Sequence, residues 1–574
     1  MYVVYLCMAG RPLADGNRER SRYDSMDWDE LVLELGKEPK RITVEQRGKR
    51  YEALDLSYWD PVMKQGRHRR KLIGFYDENG VLVETGSERD ERPKVLARRN
   101  AAETLIIGTD LLFSKIADDT GLTESLYRAY PKEWDRILTC AYFMLSEGKP
   151  LSQCEQWSAG TKQPYGKRLG DQRISELLAK LTLDSQKRFF TEWMENIGLD
   201  DNYAFDITSI SSYSDEIEAV RRGYNRDHEN LEQINLGLMI GSESYLPVFY
   251  TMLPGNINDR SSLNAFLKIL KRMGFKGYKM VMDKGFCTKA NIDLMYSMNV
   301  RFTISLTFSL GFAKDAVEES KRELRNPDNL CRVMGSTVYR TTSLKKWTVD
   351  GKQHRCYTHV YYDRSRKDAD DRKFDDRLLN VKTLLNEDAT LTESDRRFAE
   401  RYFTKRTWGD RTEWKTNMEE VEETRSKEIG YLVIISNHEK DPEKALEIYR
   451  CKETAEQAFD DLKNTEDLYR LRVHTEGRMD GKLFVAFVSL VILMRIRTVI
   501  SRTKSLENRS ISEIIGELKL LRQTCIGNRK SPIYTARTKL QKQIIEAFGI
   551  QTDFDDSSAA ADDPEIDSSE IETL

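Results

Sequence analysis

The stretch Ile448–Lys463 reads IYRCKETAEQAFDDLK, and the organisation of the chain follows from how it is read. Wound at about 100° per residue, it puts Ile448, Cys451, Ala455, Phe459 and Leu462 on one apolar stripe. Tyr449, Lys452, Glu456 and Lys463 fall within a neighbouring arc of roughly 60°. A helix with a buried face thus carries an edge of one carboxylate, two ammonium groups and a phenol. Such an edge suits a metal–phosphate site: the acid holds a divalent cation while the cations and hydroxyl grip phosphate oxygens. A surface helix with solvated charges gives the same pattern. Phase alone does not separate Glu456 from Glu453 and Asp460, which share its side.

Two more acids lie upstream. YAFDITSISSY (203–213), INLGLMIG (234–241) and LPVFYTMLPG (246–255) read as three meandering strands. SSLNAFLKILKRMG (261–274) is an amphipathic helix, YKMVMDKGF (278–286) a fourth strand, ANIDLMYSMNV a helix and RFTISL a fifth strand. The order predicts a mixed α/β sheet with helices on its faces. Asp206 sits on the first strand and Asp283 ends the fourth. Acids ending neighbouring strands converge at a sheet edge, where a divalent cation finds oxygen ligands. Singly, each reads as a turn residue. Together with Glu456, after a further strand GYLVIIS (430–436), they read as a site.

These residues resemble the DDE-type insertion-sequence transposases, in the branch whose third acid lies in the signature Y-x2-R-x3-E-x6-K. The chain has Tyr449, Lys452 in the arginine position, Glu456 and Lys463, with the spacing kept throughout. Lysine keeps the charge and loses arginine's bidentate fork, which weakens any phosphate grip carried over to Lys452. FDITSIS (205–211), QINLGLMI (233–240), LPVFYTMLPGNIND (246–259), MDKGF (282–286) and KNTEDLYRLRVHTEGRMDGKLFVAFVSL after the signature extend the likeness. TGLTESLYRAYPKEWDRIL (120–138) matches more loosely, so the resemblance spans about 100 to 500.

The resemblance implies an RNase H-like core in which Asp206, Asp283 and Glu456 hold two Mg²⁺ ions about 3.5–4 Å apart, Mn²⁺ being able to substitute. It implies cleavage at transposon ends and strand transfer into target DNA, with Tyr449, Lys452 and Lys463 on DNA phosphates. The partners it implies are terminal inverted repeats and target DNA, a second copy of the chain in a homodimer, and no membrane, in the cytoplasm of a prokaryote. Between the fifth strand and the signature lie over a hundred residues, Ser309 to Glu428, too many for a structureless loop. The family places a β-rich insertion there, with an aromatic that stacks on a flipped base. Trp347 and Trp408 are the candidates, with Trp414, although such a tryptophan is more often a core-packing residue than a stacking platform. Two other readings stay open: an RNase H-like nuclease that never joins ends, and a DNA-binding protein with a retired catalytic site.

Composition sets the frame for all three. The chain has 574 residues, 32% of them charged, with a formal net charge of −3. The tail from Thr552 to Leu574 holds nine acids and no Lys or Arg; outside it, 91 basic residues face 85 acidic ones, a net of +6. Charge placement is therefore a better guide to a polyanionic partner than the overall value. The eight cysteines, at 7, 140, 154, 287, 331, 356, 451 and 525, form no CxxC pair and suit free thiols. His354, Cys356 and His359 give a weak metal signal on a probable strand. Met1–Gly10 lacks the basic flank of a signal peptide, and Leu483–Met494 is too short to span a bilayer and reads as a buried core helix.

The chain divides by texture. Residues 1–99 form a basic region with RGKR (47–50), RHRRK (67–71), a hairpin signal at Asn79-Gly80 and a charged connector at 87–99. Residues 100–200 read as a helical domain of four or five helices with possible DNA binding. The core runs over 201–308 and 429–500, interrupted by the insertion at 309–428. C-terminal helices occupy 501–551, and the acidic tail 552–574 has a disordered composition.

Overall fold

The computed structural model describes residues 28–46, 49–61, 64–76, 80–84, 102–198, 202–214, 216–227, 229–257, 259–408, 411–464, 475–526 and 531–552, with single residues 23, 26, 471 and 473. Met1–Gly10, the turn residues 77–79, the connector 87–99, part of the segment after the signature and the tail from 553 lie outside them. Two compact units result, Met1–Glu103 with Thr524–Ile533, and Thr104–Gln523 with Tyr534–Leu574.

In the first unit, the strands Lys40–Gln46, Lys49–Asp60, Gln65–Tyr76 and Leu82–Glu84 form an antiparallel sheet in chain order. The expected hairpin is present, with Gly74 opposite Glu84 and Tyr76 opposite Leu82. RHRRK belongs to the long third strand, where Arg67 pairs with buried Asp60 at 3.0 Å and Arg70 with Asp55 at 2.8 Å. Helix Trp28–Leu35 sets Trp28 and Leu31 against Leu56 and Tyr58.

The second unit is built on one nine-stranded mixed sheet. Its strands are β1 (Tyr203–Ser212), β2 (Glu232–Gly241), β3 (Pro247–Pro254), β4 (Lys279–Met282), β5 (Arg301–Ser305), β6 (Leu330–Val333), β7 (Ser336–Val349), β8 (Lys352–Tyr362) and β9 (Tyr431–Ser436), in the order β6-β7-β8-β9-β5-β4-β1-β2-β3. β1, β2 and β3 are antiparallel neighbours, as a meander requires. β4 runs parallel to β1, and β5 parallel to β4. The helices Asp259–Arg272 and Lys289–Ser297 make the crossovers to β4 and β5. β9 lies antiparallel between β5 and β8.

Sheet and core membership cross the textural divisions. Within the insertion, β6, β7 and β8 prolong the core sheet, because β9 presents its second edge to β8, with Tyr362 opposite Tyr431. Only the later part stands on its own core. There, helices Arg364–Asn386, Glu393–Tyr402 and Met418–Lys427 and the hairpin Phe403–Trp408/Arg411–Thr416 gather Val381, Ala399, Tyr402, Phe403 and Val421. The region 100–200 also shares its core with the sheet. Among the described residues it has six helices, Gly108–Asp119, Leu122–Ala129, Trp134–Glu147, Cys154–Gly160, Asp171–Lys180 and Leu183–Ile197. Their apolar faces join Phe484, Phe487 and the strand residues Phe249 and Tyr250 in a single cluster.

That cluster is centred on the helix Glu476–Arg502, whose Leu483–Met494 run is buried throughout. By length and hydropathy it could cross a membrane, yet 83% of its most apolar window lies inside the protein. Phe189 meets Phe484 edge-on at 4.9 Å and stacks on Trp193 at 6.2 Å. Burying a side chain of this size contributes on the order of 2–3 kcal/mol. Among the described residues Cys140, Cys154, Cys287, Cys331, Cys356, Cys451 and Cys525 are all free thiols.

Candidate active site

Sheet register brings the two aspartates together. Met282 on β4 lies opposite Phe205 on β1 and opposite Ile304 on β5. Asp283 follows Met282 as Asp206 follows Phe205, so the two acids stand side by side on parallel chains about 4.8 Å apart. β4 ends at Met282, and extended Asp283 (φ −78°, ψ 167°) opens a short turn over Lys284–Phe286. The backbone N–H of Ile207 donates to Asp206 Oδ1 at 2.8 Å, which fixes that carboxylate.

The signature stretch is two helices rather than one. Pro442–Arg450 is capped by Asp441, which accepts from the Glu443 N–H at 2.8 Å, and Lys452–Asn464 follows after the single residue Cys451. The Cys451 N–H reaches both Glu447 O and Ile448 O, a local tightening of the turn. The break divides the apolar face. Leu446 and Tyr449 pack with Val281, Val338, Tyr361 and Ile434, whereas Ala455, Ala458, Phe459 and Leu462 enter the main core. Ile448 and Cys451, expected on the buried stripe, are only half-buried, and Tyr449 takes the inner position.

Lys452 links the acids. Its Nζ donates to Glu456 Oε1 at 2.7 Å and lies 3.8 Å from Asp283 Oδ1. Burial pushes its ammonium down, but the Glu456 hydrogen bond and the charges of Asp283, Glu456 and Asp206 outweigh burial and leave it raised. All three acids therefore act on one cation, while Glu453 and Asp460 point to solvent. The Tyr449 hydroxyl donates to Asp283 Oδ1 at 2.8 Å. Burial, then the charge of Asp283, pushes this phenol well up, so it stays a donor. Ser305, beside Asp283 in register, also bonds the Tyr449 hydroxyl and carried no signal in the sequence.

The donor set is entirely carboxylate oxygen, the ligand type of hard divalent cations. The Glu456 side chain is 54% exposed and that of Asp283 34%, so both are open to a cation from solvent. With Glu456 turned to Lys452, no three His, Cys, Asp or Glu side chains among the described residues already stand as a metal cluster. The residue types fit a divalent cation, and Lys452 occupies the position of positive charge.

The remaining candidates are placed differently. Lys463 does not project to solvent as a phosphate contact. Its side chain is 8% exposed and its Nζ donates to both carboxylate oxygens of Asp227, at 2.6 and 2.8 Å. The helix packs against β1 and β2 at that point, and the β1–β2 loop supplies the acid. Trp347 is a packing residue: buried, with its indole N–H on Asp293 Oδ1 at 2.7 Å and its ring edge-on to Phe312 at 5.5 Å. Trp408 ends a hairpin strand, and its side chain lies outside the described residues. Trp414 is half-buried under Lys405. On β8, strand alternation puts His354 and Cys356 on one face and His359 on the other, which dissolves the weak metal signal.

A family model described as "Transposase DDE domain" matches residues 199–493, the span from β1 through the helix Glu476–Arg502. The chain belongs to this family. It is thus a transposase, a nucleic-acid-processing enzyme of a family that generally uses divalent metals. Among solved structures, this transposase is similar to the piggyBac transposase synaptic complex with hairpin DNA, determined by cryo-EM. The likeness covers 72% of this chain and 78% of that chain at 10% identity, with a TM-score of 0.32, and no residue is carried across at that distance. No curated protein matches it.

Proposed function

We propose that this transposase cleaves DNA at the ends of its element and transfers the freed strands into target DNA. The observation that carries the reading is the placing of Asp206, Asp283 and Glu456 around Lys452, from within β1, from the end of β4 and from a helix packed against β1. In this reading the strands β3-β2-β1-β4-β5 are an RNase H-like core.

Asp206, Asp283 and Glu456 would hold Mg²⁺, or Mn²⁺ in its place. Bound there, the cation supplies Lewis-acid stabilisation of charge at phosphorus and lowers the pKa of the attacking hydroxyl. The chain's own residues set the stage for this. Register and the Ile207 N–H fix Asp206, and the Tyr449 hydroxyl fixes Asp283. Lys452 offsets the mutual repulsion of the acids in the metal-free protein and, once released, is placed to bond a phosphate oxygen. No covalent enzyme intermediate is needed, because positioning and electrostatics account for in-line transfer. The substrates are terminal inverted repeats and target DNA, the working form is a homodimer joining two ends, and the reaction takes place in the cytoplasm.

Purified protein incubated with Mg²⁺, a duplex carrying the element's ends and a target plasmid tests this reading. Cleavage followed by joined product is the expected outcome. Cleavage without joining would leave a nuclease, and binding without cleavage a retired enzyme.

A further inference from the structure

Lys463 leaves a question that the loop between β1 and β2 answers. Asp227, its partner, belongs to the run Arg221-Arg222-Gly223-Tyr224-Asn225-Arg226-Asp227, which packs three arginines and a tyrosine into seven positions. The acids near this run are turned inward. Asp227 holds Lys463, and Glu229 accepts from the Ser211 hydroxyl at 2.5 Å. Arg221 and Arg222 are exposed, and Tyr224 is 75% exposed. Glu216 and Glu218 lie at the other end of the loop, where the Glu218 N–H donates to Glu476.

The backbone beneath these exposed side chains is a built platform. Gln233, fully buried, donates from its side-chain amide to Tyr224 O at 2.9 Å and Gly255 O at 3.3 Å. Its backbone exchanges two hydrogen bonds with Arg221, at 2.9 and 3.0 Å. Buried Asn235 donates to Ile257 O at 2.6 Å, tying down the neighbouring turn. Buried Asn225 donates to the Ser211 hydroxyl and accepts from the Asp227 N–H at 2.8 Å. Gly223 passes so near Gly255 that a Cβ on it would stand 1.9 Å from the Gly255 carbonyl oxygen. Buried amides are costly unless satisfied. Gln233 and Asn225 hold the exposed turn and Asn235 the turn beside it, which fixes where the exposed side chains stand.

We propose that Arg221, Arg222 and Tyr224 form a DNA-contact ridge, and that Lys463 is the positioning residue that holds it through Asp227. The inference rests on the functional reading above and names residues that reading does not use. Lys463 follows Glu456 by seven residues, about 10 Å along the helix, so the ridge lies within one turn of a duplex engaged by the carboxylates. The guanidinium groups pair with phosphates, and the tyrosine stacks or bonds at the backbone. These contacts carry no sequence information and fix register.

Fluorescence anisotropy with a labelled duplex of arbitrary sequence, titrated over a range of salt, tests the ridge. The double variant Arg221→Ala/Arg222→Ala should lower the slope of log K against log salt by about two, one unit for each lost phosphate contact. Both side chains are exposed, so folding is spared. Lys463→Asp should weaken binding, and the charge-swapped Lys463→Asp/Asp227→Lys should regain the wild-type slope. A wild-type slope in the arginine variant overturns the ridge. A swapped variant that folds, as shown by its melting curve, yet binds no better than Lys463→Asp overturns the positioning role. Failure of the wild-type chain to bind the duplex at all would instead remove the functional reading beneath both.

Discussion

Two lysines on one helix, Lys452 and Lys463, have opposite surroundings. Lys452 lies in a partly open cluster of carboxylates, with Glu456 at 2.7 Å and Asp283 at 3.8 Å, all reachable from solvent. Lys463 is buried and forms a two-toothed pair with Asp227. The first arrangement holds an excess of negative charge around one cation, and an excess calls for more cations. The second is balanced, and its geometry is structural. A lysine's contribution thus depends on how many acids share it and how dry they are, and not on its place in a motif.

Removing the excess negative charge around Lys452 should have the largest effect. Asp206→Asn and Asp283→Asn should each lower DNA cleavage by about 10³-fold or more, since transition-state charge loses its counter-ion. Their melting temperatures should stay within a few degrees of wild type in a thermal scan. Substantial residual cleavage in either variant would move the chemistry elsewhere.

Removing each lysine sharpens the contrast from the other side. Lys463→Met leaves Asp227 without its buried cation and should destabilise the protein by about 2–3 kcal/mol in urea unfolding, somewhat below a fully buried pair because Asp227 is 24% exposed. Lys452→Met, whose partner is half-exposed, should change stability by less than about 1 kcal/mol. Equal losses would mean that the two sites are alike. A smaller effect is expected at Tyr449→Phe, which deletes the bond to Asp283: about 1 kcal/mol of stability and about tenfold in cleavage rate at fixed Mg²⁺.

His359 is a buried titratable group whose bonded side-chain partner among the described residues, Thr342, is neutral. His359 is buried beside Thr342, 2.9 Å from its hydroxyl, and burial lowers its imidazole from the ordinary 6.5 to about 4. Between those values the unfolded chain takes up a proton that the fold refuses, so stability falls as the pH drops from about 6.5 to about 4 and is unaffected above 7. His359→Gln should flatten that part of the stability–pH profile. An unchanged profile would place the acid sensitivity on another group, His438 being next, since burial lowers it to about 4 as well.

Much of this architecture was legible in the residues. Alternation and turns gave β1 to β5 in order, and the apolar run 483–494 gave the central helix, because period and length are properties of a segment alone. Asp206 and Asp283 are legible as acids on neighbouring strands, which register places side by side, whereas helical phase leaves Glu456 level with Glu453 and Asp460 and only the likeness to the transposase signature chooses it. What failed depended on neighbours. Helical phase gave the side of Lys463 and said nothing of the loop that brings Asp227 to it. The break at Cys451 reflects two cores competing for one helix face, which no single-segment period encodes. Trp347 reads as a stacking candidate that core packing explains more often, and Asp293 and Phe312 around it make it a packing residue. The insertion joined the sheet because β9 had a second edge to offer, a matter of topology that strand patterns leave open.

Nicking of a plasmid that carries the element's ends, measured with Mg²⁺ for wild type, Glu456→Gln and Glu453→Gln in parallel, decides which glutamate serves the chemistry. Both glutamates start on the same side of the same helix, and only Glu456 shares Lys452 with the two aspartates. Wild type and Glu453→Gln should cleave, and Glu456→Gln should not. Cleavage by Glu456→Gln at the wild-type rate, with loss in Glu453→Gln, would contradict this assignment.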